Sequence, residues 1–308
     1  MQIFFHIFLH NIVPISVVIG IGILLQRVFR LDIRTLSKLI FYVFSPVIVF
    51  QLLYESELSA AIFADVLLFF SVFYVSLIAV VEIVVRLRGY RGGMRGAMRS
   101  SVLFYNSANY ALPLNQLVFL NNPFTLGIQA VILILMSLMQ NVLGVYIVNA
   151  HRMGFRQIVR TILTLPVVYA IPLAFLLRGL GVVIPEPISV PLDYLFDAFI
   201  AMALLTLGAQ LGAMKWEFRF GDVFVSNALR LVVSPVIGWL VGKALGIDGI
   251  MLQALVLSCA VPSSLNSVLL AVEFDNEPEF ASQTVLASTV FSLFSMTLVI
   301  WWMNSPWF

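Results

Sequence analysis

The chain has 308 residues, 61% of them hydrophobic and 10% charged, where an ordinary soluble domain carries about 25% charged residues; a water-soluble fold is excluded. The formal net charge of +2 comes from scattered Lys and Arg and offers none of the clustered basic surface that nucleic-acid binding needs. The single cysteine, Cys259, excludes an intramolecular disulfide and reads as a small core residue.

A spanning helix needs roughly 20 apolar residues. Hydropathy and turn residues predict ten such segments, at residues 8–29, 35–54, 59–85, 97–120, 123–149, 157–181, 189–212, 221–245, 248–273 and 279–303. No Lys or Arg precedes Arg27, so the start of the chain lacks the basic region of a cleavable signal peptide and is expected to be the first span. His6 and His10 stand four apart there, too few ligands for a metal site; no metal or other cofactor is expected.

The fourth segment carries Asn106, Ser107, Asn109, Tyr110 and Pro113 within an otherwise apolar stretch. Proline removes a backbone hydrogen bond and clashes with the preceding turn, and polar groups in hydrocarbon need partners. A broken helix lining a cavity resolves both. The fifth segment is interrupted by Gln140 and Asn141, and the seventh ends at Gln210, where packing is the simpler reading. Arg230 in the eighth lies eight residues past Asp222, about 12 Å into the span. There it must snorkel, find a partner, or meet a wet cavity or a carboxylate substrate. Gly238, Gly242 and Gly246 on the same segment have the spacing of close helix packing. The ninth segment repeats the interruption with Pro262, Ser263, Ser264 and Asn266. Paired interruptions in corresponding positions of two halves point to a midplane binding site.

Lys and Arg collect on cytoplasmic loops. Arg178 and Lys243 fall on one side of the predicted topology, Arg230 lies within a span, and every other basic residue falls on the opposite side. Both termini are therefore expected outside. Ten spans divide into five-helix halves, 1–150 and 151–308, and an odd number in each half inverts the second relative to the first, a transporter signature. Pro14 and Pro166 at the starts of the halves, and Leu114-Asn115 matching Leu265-Asn266, echo the division. Half-helices that restart after the breaks would aim their positive N-terminal poles at the membrane centre, which suits an anion. No HExxH or GxSxG spacing and no pair of intramembrane carboxylates suggests an enzyme.

Three stretches carry a resemblance: Tyr105 to Pro113; Leu204-Leu205-Thr206-Leu207-Gly208-Ala209-Gln210-Leu211; and Ala260-Val261-Pro262-Ser263-Ser264 followed by Ala287-Ser288-Thr289-Val290-Phe291-Ser292. With them, and over nearly its whole length, the chain resembles the auxin efflux carrier family, whose bacterial members are ten-helix secondary transporters of organic acids. The resemblance implies a fold related to sodium/proton antiporters and bile-acid sodium symporters. The fourth and ninth helices would cross at their prolines, with helices one, two, six and seven as a panel moving against that core. It also implies a small carboxylate substrate, a plasma-membrane location and a homodimer. The chain departs from the family in lacking glycines in Asn109-Tyr110-Ala111 and a long loop between its halves.

The expected site sets Asn106, Ser107, Asn109, Tyr110 and Pro113 against Pro262, Ser263, Ser264 and Asn266, with Asn141 and Arg230 as further candidates. A sodium-coupled symporter of the bile-acid type, a passive channel and an intramembrane sensor are the alternatives, and whether a proton or a sodium ion is coupled stays open.

Overall fold

The computed structural model describes residues 2–56, 58–148, 163–216, 221–306 and 308. Every regular element among them is helical. In chain order these are α1 (Ile3–Phe29), α2 (Ile33–Tyr54), α3 (Ala60–Leu87), α4 (Gly92–Leu103), α5 (Leu112–Val118), α6 (Pro123–Val148), α7 (Pro166–Gly179) and α8 (Glu186–Ala213). There follow α9 (Asp222–Ala244), α10 (Gly249–Ala260), α11 (Asn266–Glu273) and α12 (Pro278–Met303). Seven of them, α1, α2, α3, α6, α8, α9 and α12, are long and apolar enough to cross a membrane, as a multi-pass membrane protein requires.

Four π-helical turns recur, at Phe8–Ile12, Ile40–Phe44, Ser107–Ala111 and Leu229–Val233. Each is followed two residues later by a proline: Pro14, Pro46, Pro113 and Pro235. A proline inside a helix leaves the carbonyl four residues back without its donor and presses its ring on it. A wider turn immediately upstream relieves both. Pro113 therefore sits in the first turn of α5 and does not make the break in that segment. The break lies earlier, at Phe104–Asn106, where the chain leaves α4.

α1, α2, α7 and α8 pack together, and α1 also meets α12 and α2 also meets α6. α1 runs against α8, and α2 against α7. The first pair touches backbone to backbone: a Cβ on Gly208 would overlap the Ile19 carbonyl, and one on Gly22 the Leu205 carbonyl. α3, α4, α6, α9, α10 and α12 also pack on one another, with α9 against α10 and α10 against α6. Here Gly238 lies against Cys259 and Gly242 against Leu252. Gly246, third in that spacing, belongs to the turn after α9, with a φ of +71° and open space around it.

The two interrupted segments cross. Tyr105 and Ser263 form an isolated antiparallel bridge. Asn106 N donates to the Pro262 carbonyl at 2.9 Å, and Ser264 N to the Phe104 carbonyl at 2.8 Å. Each unwound stretch thus meets the other's backbone hydrogen-bonding needs, the condition for non-helical chain at membrane depth. Ser263 Oγ donates to the Ser101 carbonyl at 2.6 Å, and its N–H donates to Ser288 Oγ at 3.2 Å, which fixes the crossing to α4 and α12.

Candidate functional site

Beside the crossing lies a cavity of about 40 Å³ whose wall includes Asn106, Ser107 and Asn109 from one unwound stretch and Ser264 and Asn266 from the other. Ser37 of α2, Ser137 and Gln140 of α6, and Gln210 of α8 complete the polar wall. Asn106 Oδ1 caps the turn that follows by accepting from Asn109 N at 3.0 Å. Gln129 Nε2 donates to the Ser107 carbonyl at 3.0 Å, and the Ser258 hydroxyl donates to Gln129 Oε1. Gln140 Nε2 donates to the Tyr105 carbonyl at 3.3 Å while its oxygen accepts from Asn266 Nδ2. Gln210 Nε2 donates to Ser37 Oγ at 3.1 Å.

Two buried amides keep unused capacity: Asn109 Oδ1 and Gln210 Oε1 have no hydrogen-bond partner. A buried polar atom left unpaired costs about 1–3 kcal/mol, so both favour a bound group that pairs with them. Because an amide can turn to present either its oxygen or its NH₂, each can accept from or donate to that group. The helical stretch that begins at Ser107 and continues as α5, and α11 from Asn266, both start at this cavity. Their N-terminal ends place positive poles beside it.

α4 and α10 end at the crossing, and their C-terminal carbonyls gather negative charge there. Arg230 answers it. Fully buried, it donates through Nη1 to the Val102 carbonyl at 3.0 Å. Through Nη2 it donates to Ser234 Oγ at 2.6 Å and to the Cys259 carbonyl. Its guanidinium stands 4.7 Å from the centre of the Tyr105 ring. Arg230 has backbone carbonyls as partners and is absent from the cavity wall.

The other sequence candidates separate in the same way. Tyr110 is buried away from the cavity, its hydroxyl accepting from Ser292 Oγ at 2.9 Å. Pro113 is buried in α5, the Pro262 carbonyl serves the crossing, and Ser263 is tied to α4 and α12. The side chain of Asn141 lies outside the described residues. Ser37 and Ser137 were not picked out from the sequence, and Gln140 and Gln210 were read there as packing. Their only sequence signal is a polar group in an apolar helix, which does not say which way it faces.

A larger cavity of about 320 Å³ shares Ser37, Phe41, Gln140 and Asn266 with the small one and adds Arg34, Lys38, Tyr42 and Glu273. The crossing is therefore reached from the Arg34 end of α2 through a wall carrying two cations and one acid.

A family model described as membrane transport protein matches residues 147–300. An uncharacterized transporter of Methanothermobacter thermautotrophicus is 28% identical over 107 residues, 35% of each chain. The uncharacterized transporter YfdV of Escherichia coli K12 is 31% identical over 110 residues, 36% of this chain and 35% of that one. Auxin efflux carrier component 1 of Arabidopsis thaliana is 24% identical over 111 residues, 35% of this chain and 18% of that one. The matched stretch thus spans about a third of the length of the two microbial relatives.

Proposed function

The chain belongs to the membrane transport protein family, which takes in auxin efflux carriers and microbial transporters, and from that premise we propose that it is a secondary transporter of a small carboxylate anion. It works in the plasma membrane by alternating access, with ten spans in two inverted five-helix repeats and both termini outside. The substrate binds at the crossing, where Asn109, Gln210 and Asn266 orient its carboxylate and the two helix starts complement its charge. α1, α2, α7 and α8 move against the rest, so Ser37 and Gln210 approach and leave the crossing with each cycle.

What carries this reading is the convergence on one cavity of two helix N-termini and two amides without partners for their oxygens. The approach past Arg34 and Lys38 supports it, since a cationic wall raises the local concentration of anions. The test is thermal stability of the purified protein in detergent against a panel of mono- and dicarboxylates. A ligand at one hundred times its dissociation constant stabilises the folded state by about 2.7 kcal/mol. A flat response to every carboxylate, with a shift produced by a neutral or cationic solute, would overturn the anion reading.

A further inference from the structure

A second wet cavity, of about 350 Å³, lies at the other end of α2. Lys38 and Glu55 are 17 residues apart, so the two cavities are separated by roughly 26 Å along that helix. Glu55, Ser56, Asp197, Gln116 and Asn121 supply its polar wall, and every one of them offers oxygen. The feature that asks for a ligand is Gln116. It is 7% exposed, it lines this cavity, and its buried Oε1 has no hydrogen-bond partner.

We propose that this cavity binds sodium, held by the carboxylates of Glu55 and Asp197 with the amide oxygen of Gln116 and retained water. Hard cations take oxygen ligands, and two carboxylates and a neutral amide on the wall of one cavity offer such a set. A divalent chelate is disfavoured, because no three His, Cys, Asp or Glu side chains among the described residues are gathered closely enough to hold a metal ion. At about 30 Å³ per water, the space admits a hydrated ion.

The surrounding charges agree in sign. Asp193, one turn before Asp197 on α8, accepts from Gln51 Nε2 at 2.7 Å. Gln51 stands one turn before Glu55, so the Asp193 and Glu55 carboxylates lie on the same side of the molecule and a cation here relieves the repulsion between like charges. Arg178 is the neighbouring cation; its guanidinium is occupied by Ser56 Oγ at 3.3 Å and the Leu58 carbonyl at 3.1 Å. It leaves the group net negative.

The location gives the ion a task. Gln116 belongs to α5, the continuation of one crossing segment, while Glu55 follows α2 and Asp197 lies on α8. Sodium bridging them ties the crossing to both helices on this side, which couples ion occupancy to the state of the carboxylate site. That consequence rests on the transporter reading; the binding itself does not.

The experiment is thermal stability of the full chain in detergent, titrated with sodium chloride against choline chloride at constant ionic strength and without carboxylate. Sodium should raise Tm in a saturable way that choline does not match. Glu55→Gln and Asp197→Asn should each weaken the apparent sodium affinity at least tenfold, whereas Gly20→Ala, whose Cβ position has nothing within 4 Å, should leave it unchanged. Equal shifts with choline, a response to micromolar calcium with none to sodium, or a full sodium response in the Glu55→Gln/Asp197→Asn double variant would each overturn the proposal. A sodium response with no response to any carboxylate would keep this site and remove the anion reading; the reverse would do the opposite.

Discussion

Arg230 donates to the backbone carbonyl of Val102 at 3.0 Å, so a charged side chain closes the end of a helix that stops at the crossing. The same guanidinium reaches the Cys259 carbonyl at the end of α10. Only a planar fork spans both. Arg230→Lys keeps the charge but reaches one carbonyl at most, and hydrogen bonds to charged groups are worth about 1.5–3 kcal/mol each. The expected result is a drop in stability of about 3 kcal/mol, read as a lower Tm, with the carboxylate-induced shift retained at saturating ligand. An unchanged Tm with a lost ligand shift would make Arg230 a substrate contact instead.

Asn109 and Asn106 should respond in opposite ways. The Asn109 side-chain oxygen is buried without a partner, whereas the backbone N–H that Asn106 Oδ1 accepts survives replacement by alanine. Asn109→Ala is therefore expected to leave Tm unchanged or raise it, by up to about 1 kcal/mol of stability, while carboxylate affinity falls ten- to hundredfold. Asn106→Ala removes a helix cap and should cost about 0.5–2 kcal/mol. Thermal scans with and without ligand on both variants separate the two roles. If Asn109→Ala lost stability and kept affinity, the cavity would not be the binding site.

Gly208 tests the contact between α1 and α8. An added Cβ would overlap the Ile19 carbonyl and lie 2.8 Å from the Gly22 Cα, and backbone cannot give way as a side-chain tip can. Gly208→Ala should cost about 1–3 kcal/mol through overpacking. Gly20, on the same helix α1, has nothing within 4 Å of its Cβ position. Gly20→Ala should be neutral or stabilising by up to about 1 kcal/mol. Denaturation of the pair in one detergent checks the contrast; equal effects would place the two helices further apart.

The long helices were legible because each is a run of apolar residues whose length is set by the membrane, and the interruptions near Asn106 and Ser263 because polar groups there have no local excuse. The position of the first break was not legible. Pro113 carries the obvious local signal, yet what holds Phe104–Asn106 extended is pairing with Pro262 and Ser264, some 160 residues away. The place of Arg230 within an apolar segment is readable, but apart from Ser234 Oγ its partners are backbone carbonyls, which no side-chain pattern announces. For Gln210 and Ser37 the limit is direction. Helix periodicity cannot say that α8 and α2 turn these two toward the crossing, since the facing comes from how helices meet.

Glu55 ties stability to pH on the side away from Arg34. Burial first, and the charge of Asp193 second, raise its carboxyl above its ordinary value of 4.5. An acid whose folded pKa is raised favours folding while protonated. Its contribution is intact below pH 4.5 and is lost as pH rises through the higher folded value. At neutral pH the raised carboxyl therefore costs stability, and Glu55→Gln removes that cost. In sodium-free choline buffer the variant should melt at a higher temperature than the wild type at pH 7, and the gap should close as pH falls toward 4. Asp193→Asn should act in the same direction by removing the repelling charge, although it also changes the acceptor of Gln51. Sodium at pH 7 should narrow the gap by stabilising the wild type alone. A gap independent of pH would mean that glutamine packs better at this position, and the ionisation of Glu55 would then have no part in it.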